Sequence, residues 1–152
     1  HANGRTYSMV FYLTSLGGAI FQEIDSSISS EGMIAQQSAT PQQQSAFLGS
    51  YALRWRGTAA AAAQNFAGQF SANASGSVTA GTLDISTFPG SQVAGEALNG
   101  TLTIGTNGRG TLALNPATDN RNFAVYSAGP TLLFTVGSDS GRFAAGPLFK
   151  QF

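Results

Sequence analysis

Along nearly the whole chain, apolar side chains return at every second position, in short runs broken by Gly, Asn, Ser and Pro. A period of two puts one side chain on a covered face and the next on a wetted one, which is the pattern of a half-buried β-strand. Tyr7, Met9, Phe11 and Leu13 share one face of the first run, over Arg5–Thr14. Residues 18–25 and about 31–37 give two more strands. Further on, Tyr51, Leu53 and Trp55 alternate with Ala52, Arg54 and Arg56, and Phe66, Gly68, Phe70 and Ala72 share a face. Val78–Ser86 follows, then Leu98, Leu102 and Ile104, Leu112 and Leu114, Phe123 and Val125, Leu132, Phe134 and Val136, and finally Arg142–Lys150. Asn107-Gly108 between two alternating runs is a hairpin signal, because both residue types tolerate positive φ. Ala59–Ala63 is the one helix-compatible run and is too short to stand alone, so it is expected to be loop or strand edge.

The expectation is an all-β chain of about eleven strands. Short turns join consecutive strands, so it should be an antiparallel up-and-down meander that closes as a barrel or folds as a two-sheet sandwich. Ser38–Ser45 is polar and contains Pro41, which predicts a linker over 38–46 between a partial unit at 1–37 and a complete domain at 47–152.

Composition narrows function more by exclusion than by motif. Charged residues are 9% of the 152, far below the usual ~25%, and formal net charge is zero. With a single lysine the chain has no basic track for a phosphate backbone, so nucleic acid is not an expected partner. No apolar run reaches the ~20 residues of a spanning helix, so no membrane span is expected. Weakly charged, Ser- and Thr-rich surfaces repel each other little and favour association.

No cysteine is present, and His1 is the only histidine. That removes disulfides, thiolate chemistry, Ser–His or Cys–His nucleophiles and most zinc sites. A terminal His alone lacks the second His of a copper-binding brace. Gly137-Ser138-Asp139-Ser140-Gly141 resembles a nucleophile turn but has no base to serve it, and reads as a hairpin. Gly105–Gly110 opens no helix and offers no dipole to a phosphate. Glu23 and Asp25, on one strand face about 7 Å apart, suit an exposed polar face or a weak cation site. No catalytic, cofactor or metal residue is assigned, and the chain is expected not to be an enzyme. Tyr51, Trp55 and Phe70 read as core, or as faces for an apolar ligand or a sugar. Asn73-Ala74-Ser75 and Asn99-Gly100-Thr101 match the glycosylation triplet at Asn73 and Asn99.

The two ends of the chain resemble each other. Asn3-Gly4-Arg5, Tyr12, Phe21, Asp25-Ser26, Gly32 and Gln37 recur in order as Asn107-Gly108-Arg109, Tyr126, Phe134, Asp139-Ser140, Gly146 and Gln151. The spacing is 104 at the first triplet and 113–114 beyond it, with Thr111–Pro116 as an extra strand in the later copy. This reads as a tandem array with a period of about 110 residues. On this reading, strands at 6–37 and at 121–150 are alternative partners for the same sheet edges.

Phe66–Asn73, Val78–Ile85 and Leu102–Leu112 resemble a β-rich tandem repeat module of large secreted or cell-surface proteins of acidobacteria and their relatives, often labelled Ig-like. The resemblance covers about 47–151 and, more faintly, 3–37. The family's fuller Asp-Gly-Asn-Gly turn is replaced here by Asn73-Ala74-Ser75-Gly76. The resemblance implies an extracellular, structural or adhesive role with no catalytic residues. Together these features lead to an expected self-assembling filament or cell-surface subunit, secreted, joined by strand exchange to copies of itself or to neighbouring repeats. Its expected assembly anchors are Tyr7, Met9, Phe11 and Leu13 at one end and Phe143, Leu148, Phe149 and Phe152 at the other. The competing expectation is a binding barrel for an apolar ligand or polysaccharide.

Overall fold

Each alternating run becomes a strand. The computed structural model describes residues 6–14, 17–25, 30–37, 42–116 and 120–152, which form two compact units divided between Gln37 and Ser38. In the first, β1 (Met9–Leu13), β2 (Ala19–Glu23) and β3 (Glu31–Ile34) make a three-stranded antiparallel sheet with β2 in the centre. In the second, eight antiparallel strands close a barrel: β4 (Gly49–Ala59), β5 (Ala62–Ala72), β6 (Ser77–Phe88), β7 (Gln92–Ile104), β8 (Arg109–Leu114), β9 (Arg121–Gly129), β10 (Leu132–Gly137) and β11 (Arg142–Lys150). Consecutive strands pair, and β11 returns to β4. The meander therefore closes as a barrel and not as a two-sheet sandwich. No helix among the described residues is long and apolar enough to cross a membrane.

The alternation decides what fills the barrel. Tyr51, Leu53 and Trp55 of β4, Phe66 and Phe70 of β5, Leu83 of β6, Leu102 of β7, Leu112 and Leu114 of β8, Phe123 and Val125 of β9, Leu133 of β10 and Leu148 of β11 all point inward and are buried. An eight-stranded barrel is just wide enough for such side chains to fill. Burying each large apolar side chain is worth about 1.5–3 kcal/mol, so this interior is the main source of the unit's stability.

The second half of the expected linker is part of the barrel. Gln44–Phe47 form a 3-10 turn that plugs one end of it. Phe47 is fully buried there, the Gln44 amide donates to the Leu102 carbonyl, and its side-chain oxygen accepts from the Ile104 amide. The Gln42 backbone amide adds a bond to the Thr106 carbonyl. Residues 38–41 lie outside the described residues.

The hairpins follow their sequences. Gly108, at φ 77°, turns the chain between β7 and β8. Ala59–Ala63, expected as loop or strand edge, forms the tip of the β4–β5 hairpin. Ala60 and Ala61 occupy its two central positions at φ 46° and 66°. A side chain with a Cβ resists that region by roughly 1–2 kcal/mol per residue, and Asn-Gly is the pair the turn favours. Replacing Ala60→Asn together with Ala61→Gly is expected to stabilise the barrel by about 1–2 kcal/mol. A shift of the urea midpoint with unchanged slope checks it.

The two units share a register. β1 pairs with β2 as Met9↔Glu23, Phe11↔Phe21 and Leu13↔Ala19; β9 pairs with β10 as Phe123↔Gly137, Val125↔Thr135 and Ser127↔Leu133. β2 pairs with β3 as Ala19↔Ile34 and Phe21↔Gly32; β10 pairs with β11 as Leu133↔Leu148 and Thr135↔Gly146. In every pair the second set carries the first set's numbers plus 114. The hairpin bonds agree: Asp25 Oδ2 accepts from the Ser8 amide and Asp139 Oδ2 from the Asn122 amide, both at 2.8 Å. The Ile24 amide donates to the Ser8 carbonyl at 2.9 Å, as Ser138 does to Asn122 at 2.8 Å. Tyr12 matches Tyr126 and Gly32 matches Gly146, as the sequence suggests. Phe21 instead falls on Thr135, and Ile20 takes the place of Phe134. The Asn3–Arg5 triplet lies outside the described residues.

Candidate functional site

Strand alternation turns Tyr51, Trp55 and Phe70 into the lumen, all at 0–1% exposure. Tyr51 stacks on Phe70 with ring centroids 5.6 Å apart. Trp55 lies 4.3 Å from the Phe123 ring and 6.3 Å from Phe66. Because β9 stands opposite β4 and β5, the Trp55–Phe123 contact spans the lumen. These three residues therefore pack against one another's neighbours and present no face to a polysaccharide.

Towards the unplugged end the interior becomes polar. Arg121 is 5% exposed, and its guanidinium lies 4.5 Å from the centre of the Phe66 ring. Burial pulls this guanidinium below its usual pKa, against the attraction of Asp139 and Glu96, which favour the charged form. Glu96 is itself 7% exposed. A buried opposite-charge group and a ring face both lower the cost of holding the cation there. Neither Glu96 nor Arg121 was singled out from sequence, because a charged residue in an alternating run carries no local sign that it faces inward.

Glu23 and Asp25, expected on one strand face as an exposed polar face or a weak cation site, form neither. Glu23 is buried and its Oε2 accepts from the Ser30 hydroxyl at 2.6 Å, while Asp25 turns to the Ser8 amide. Among the described residues no group of three metal-ligating side chains forms. Asp139 of the Gly-Ser-Asp-Ser-Gly hairpin is occupied with the Asn122 amide and side chain. Asn73 is exposed at a turn, its side-chain oxygen accepting from the Ser75 and Ser77 amides, and Asn99 is exposed on the outer face of β7. His1 lies outside the described residues.

The expected assembly anchors divide. Tyr7, Met9, Phe11 and Leu13 are 40–87% exposed, and Phe143, Phe149 and Phe152 are also exposed. Leu148 is a correction: it is fully buried in the barrel, because inward and outward positions alternate along β11. The last strand is a correction too. It is hydrogen-bonded to β10 on one side and β4 on the other, so it has no edge to offer. Nor are strands 6–37 and 121–150 rivals for an open edge of this barrel, which its own strands close.

Among the described residues, the free strand edges belong to the three-stranded sheet, at β1 and β3. One of its faces carries Met9, Phe11, Leu13, Ala19, Phe21 and Ile34, and the other Val10, Tyr12, Ile20 and Met33. Tyr12, Ile20, Met33 and Ile34 are 44–65% exposed, and none of them was among the assembly anchors expected from sequence. They are missed because alternation names one covered face per strand, and here both faces are apolar.

No protein-family model matches the chain, and no curated protein is significantly similar to it.

At the plugged end, the Tyr51 hydroxyl lies 3.2 Å from both the Phe47 and the Pro130 carbonyls, which share its one proton. Burial raises its pKa from 10.0 to about 12. The unfolded chain loses this proton first, so the stabilisation is complete below pH 10 and is lost as pH rises toward 12. The wild-type barrel should lose about 1.4 kcal/mol per pH unit across that window from this residue. Tyr51→Phe should remove that part of the slope. Urea unfolding of both proteins at several pH values between 9 and 12 gives the difference.

Proposed function

We propose that the chain is a non-enzymatic structural module of a secreted or cell-surface assembly, and that its units are joined through the sheet at 6–37. What carries this reading is that sheet: two open edges and apolar side chains exposed on both faces. A sheet of this kind is a template for further strands, and proteins that remain solitary guard such edges with charge, proline or short length. Here β1 carries Met-Val-Phe-Tyr-Leu with no charge at all. Three strands with uncovered faces do not hold together well alone, so the sheet calls for a complement.

The filled lumen supports a mechanical role over a ligand-binding one. An apolar ligand would need the volume now taken by the Tyr51–Phe70 and Trp55–Phe123 pairs. The sparse charge and the absence of Cys and of any second His support the lack of a catalytic group. The partners are copies of the chain or neighbouring repeats, and the work is done by backbone ladders and apolar faces.

The whole chain is then expected to self-associate as concentration rises. Phe11→Asp puts a charge in the middle of the sheet and should return it to monomer, with the barrel's unfolding transition unchanged. Light scattering over a hundredfold dilution series reads both. A wild-type chain that stays monomeric throughout would sink the assembly reading.

A further inference from the structure

Resting on that structural reading, the shared register identifies what covers the open sheet. The inner face of β9–β11 carries Phe123, Val125, Leu133 and Leu148. The positions 114 residues earlier are Met9, Phe11, Ala19 and Ile34, all on one face of the sheet. The outer face of the barrel wall has Tyr126 and Phe134 where the sheet has Tyr12 and Ile20. Inside and outside thus correspond position by position.

The close approaches correspond as well. In the barrel a Cβ at Gly146 would run into the Trp55 ring and the Arg54 carbonyl, so the glycine makes a flat floor for the neighbouring strand's indole. Gly32 is the same floor in the sheet, and with no neighbouring strand present the Phe21 ring lies across it. Glu23, at the position of Gly137, is 4% exposed, and its Oε1 accepts no hydrogen bond among the described residues. A buried carboxylate oxygen of this kind calls for a donor on the covering element.

We infer that residues 6–37 are the last three strands of a second barrel of the same kind, and that their inner face is covered by five antiparallel strands equivalent to β4–β8 of an adjoining unit. The β8 equivalent adds to the edge of β1 and the β4 equivalent to the edge of β3, as β8 adds to β9 and β4 to β11 in the complete barrel. The repeating unit is then 114 residues long, and the segment from Gln37 to Phe47 joins one barrel to the plug of the next. The apolar surface of the sheet is on this view a barrel interior, and its two edges are ladder positions for the first and last of five specified strands.

The test places residues 38–120 of this chain ahead of residues 7–152, which matches the 114-residue spacing at the joint. Two barrels should form within one molecule. Backbone amides of Phe11 and Phe21 should exchange with solvent about a hundredfold more slowly than in the 1–152 chain, approaching those of Val125 and Thr135. Because Leu13, Phe21 and Glu23 are bulkier than Ser127, Thr135 and Gly137, a second version carries L13S, F21T and E23G. Protection in either version supports the inference. Fast exchange at positions 11 and 21 in both, with the downstream barrel still protected, overturns it. Protection arises inside a single molecule here, so the result is independent of whether the 1–152 chain assembles with its copies.

Discussion

Closure of the hydrogen-bond ladder is the constraint from which the rest follows. Each of the eight barrel strands has a neighbour on both sides, so the barrel leaves no strand edge exposed. That condition fixes the inward set of side chains, because strands tilted around a closed cylinder must turn every second residue into it. The end of the cylinder is closed separately, by the turn at Gln44–Phe47, where Phe47 is fully buried and its carbonyl lies beside the Tyr51 hydroxyl. The three-stranded sheet is the one part of the described structure where the condition is not met. Its outer edges are unpaired, and both its faces carry exposed apolar side chains.

The strands were legible because period-two alternation is a direct physical record of a two-sided sheet. Asn107-Gly108 and the turn at Asn73–Gly76 were legible for the same reason, since few residue types suit positive φ or an Asx turn. Closure was not legible. Barrel and sandwich have the same alternation, and they differ in whether β11 meets β4, a pairing of Leu148 with Leu53 almost a hundred residues away. The misassignment of Leu148 as an exposed anchor follows from this: Pro147-Leu148-Phe149 is a continuous apolar run, and nothing local tells which of its members faces in. Gln44 was hidden differently. It sits in a polar, proline-bearing stretch, and its role depends on a carbonyl and an amide of β7 some sixty residues on.

The buried pair of Arg121 and Glu96 marks the limit of patterning as a guide to site chemistry. Each occupies an inward position by parity, and a reader who trusts charge over parity places both outside. The Phe66 ring and the nearby carboxylates make the inward position tenable for the guanidinium, and those neighbours are brought together only by the fold. Tyr51 shows the reverse case. Its parity and its aromatic character agree on a covered position but leave core and ligand face open; burial against Phe70, with two carbonyls near the hydroxyl, makes it core.

The differences between the sheet and its barrel counterpart carry as much meaning as the matches. Thr135 and Ser127 are small, buried and hydrogen-bonded to the Gly146 and Gly129 carbonyls, in a lumen already filled by Trp55, Phe66 and Phe123. Phe21 and Leu13 in their places would overpack that lumen, at about 1–3 kcal/mol for each insertion, and Glu23 would bring an added carboxylate to the position of Gly137. The sheet therefore does not substitute freely for β9–β11 of its own chain's barrel, although the backbone register is the same. The two ladders are alike in register and unlike in the side chains they turn to the covered face. A shared backbone pattern with unlike side chains is the arrangement in which misfit excludes one partner and admits another.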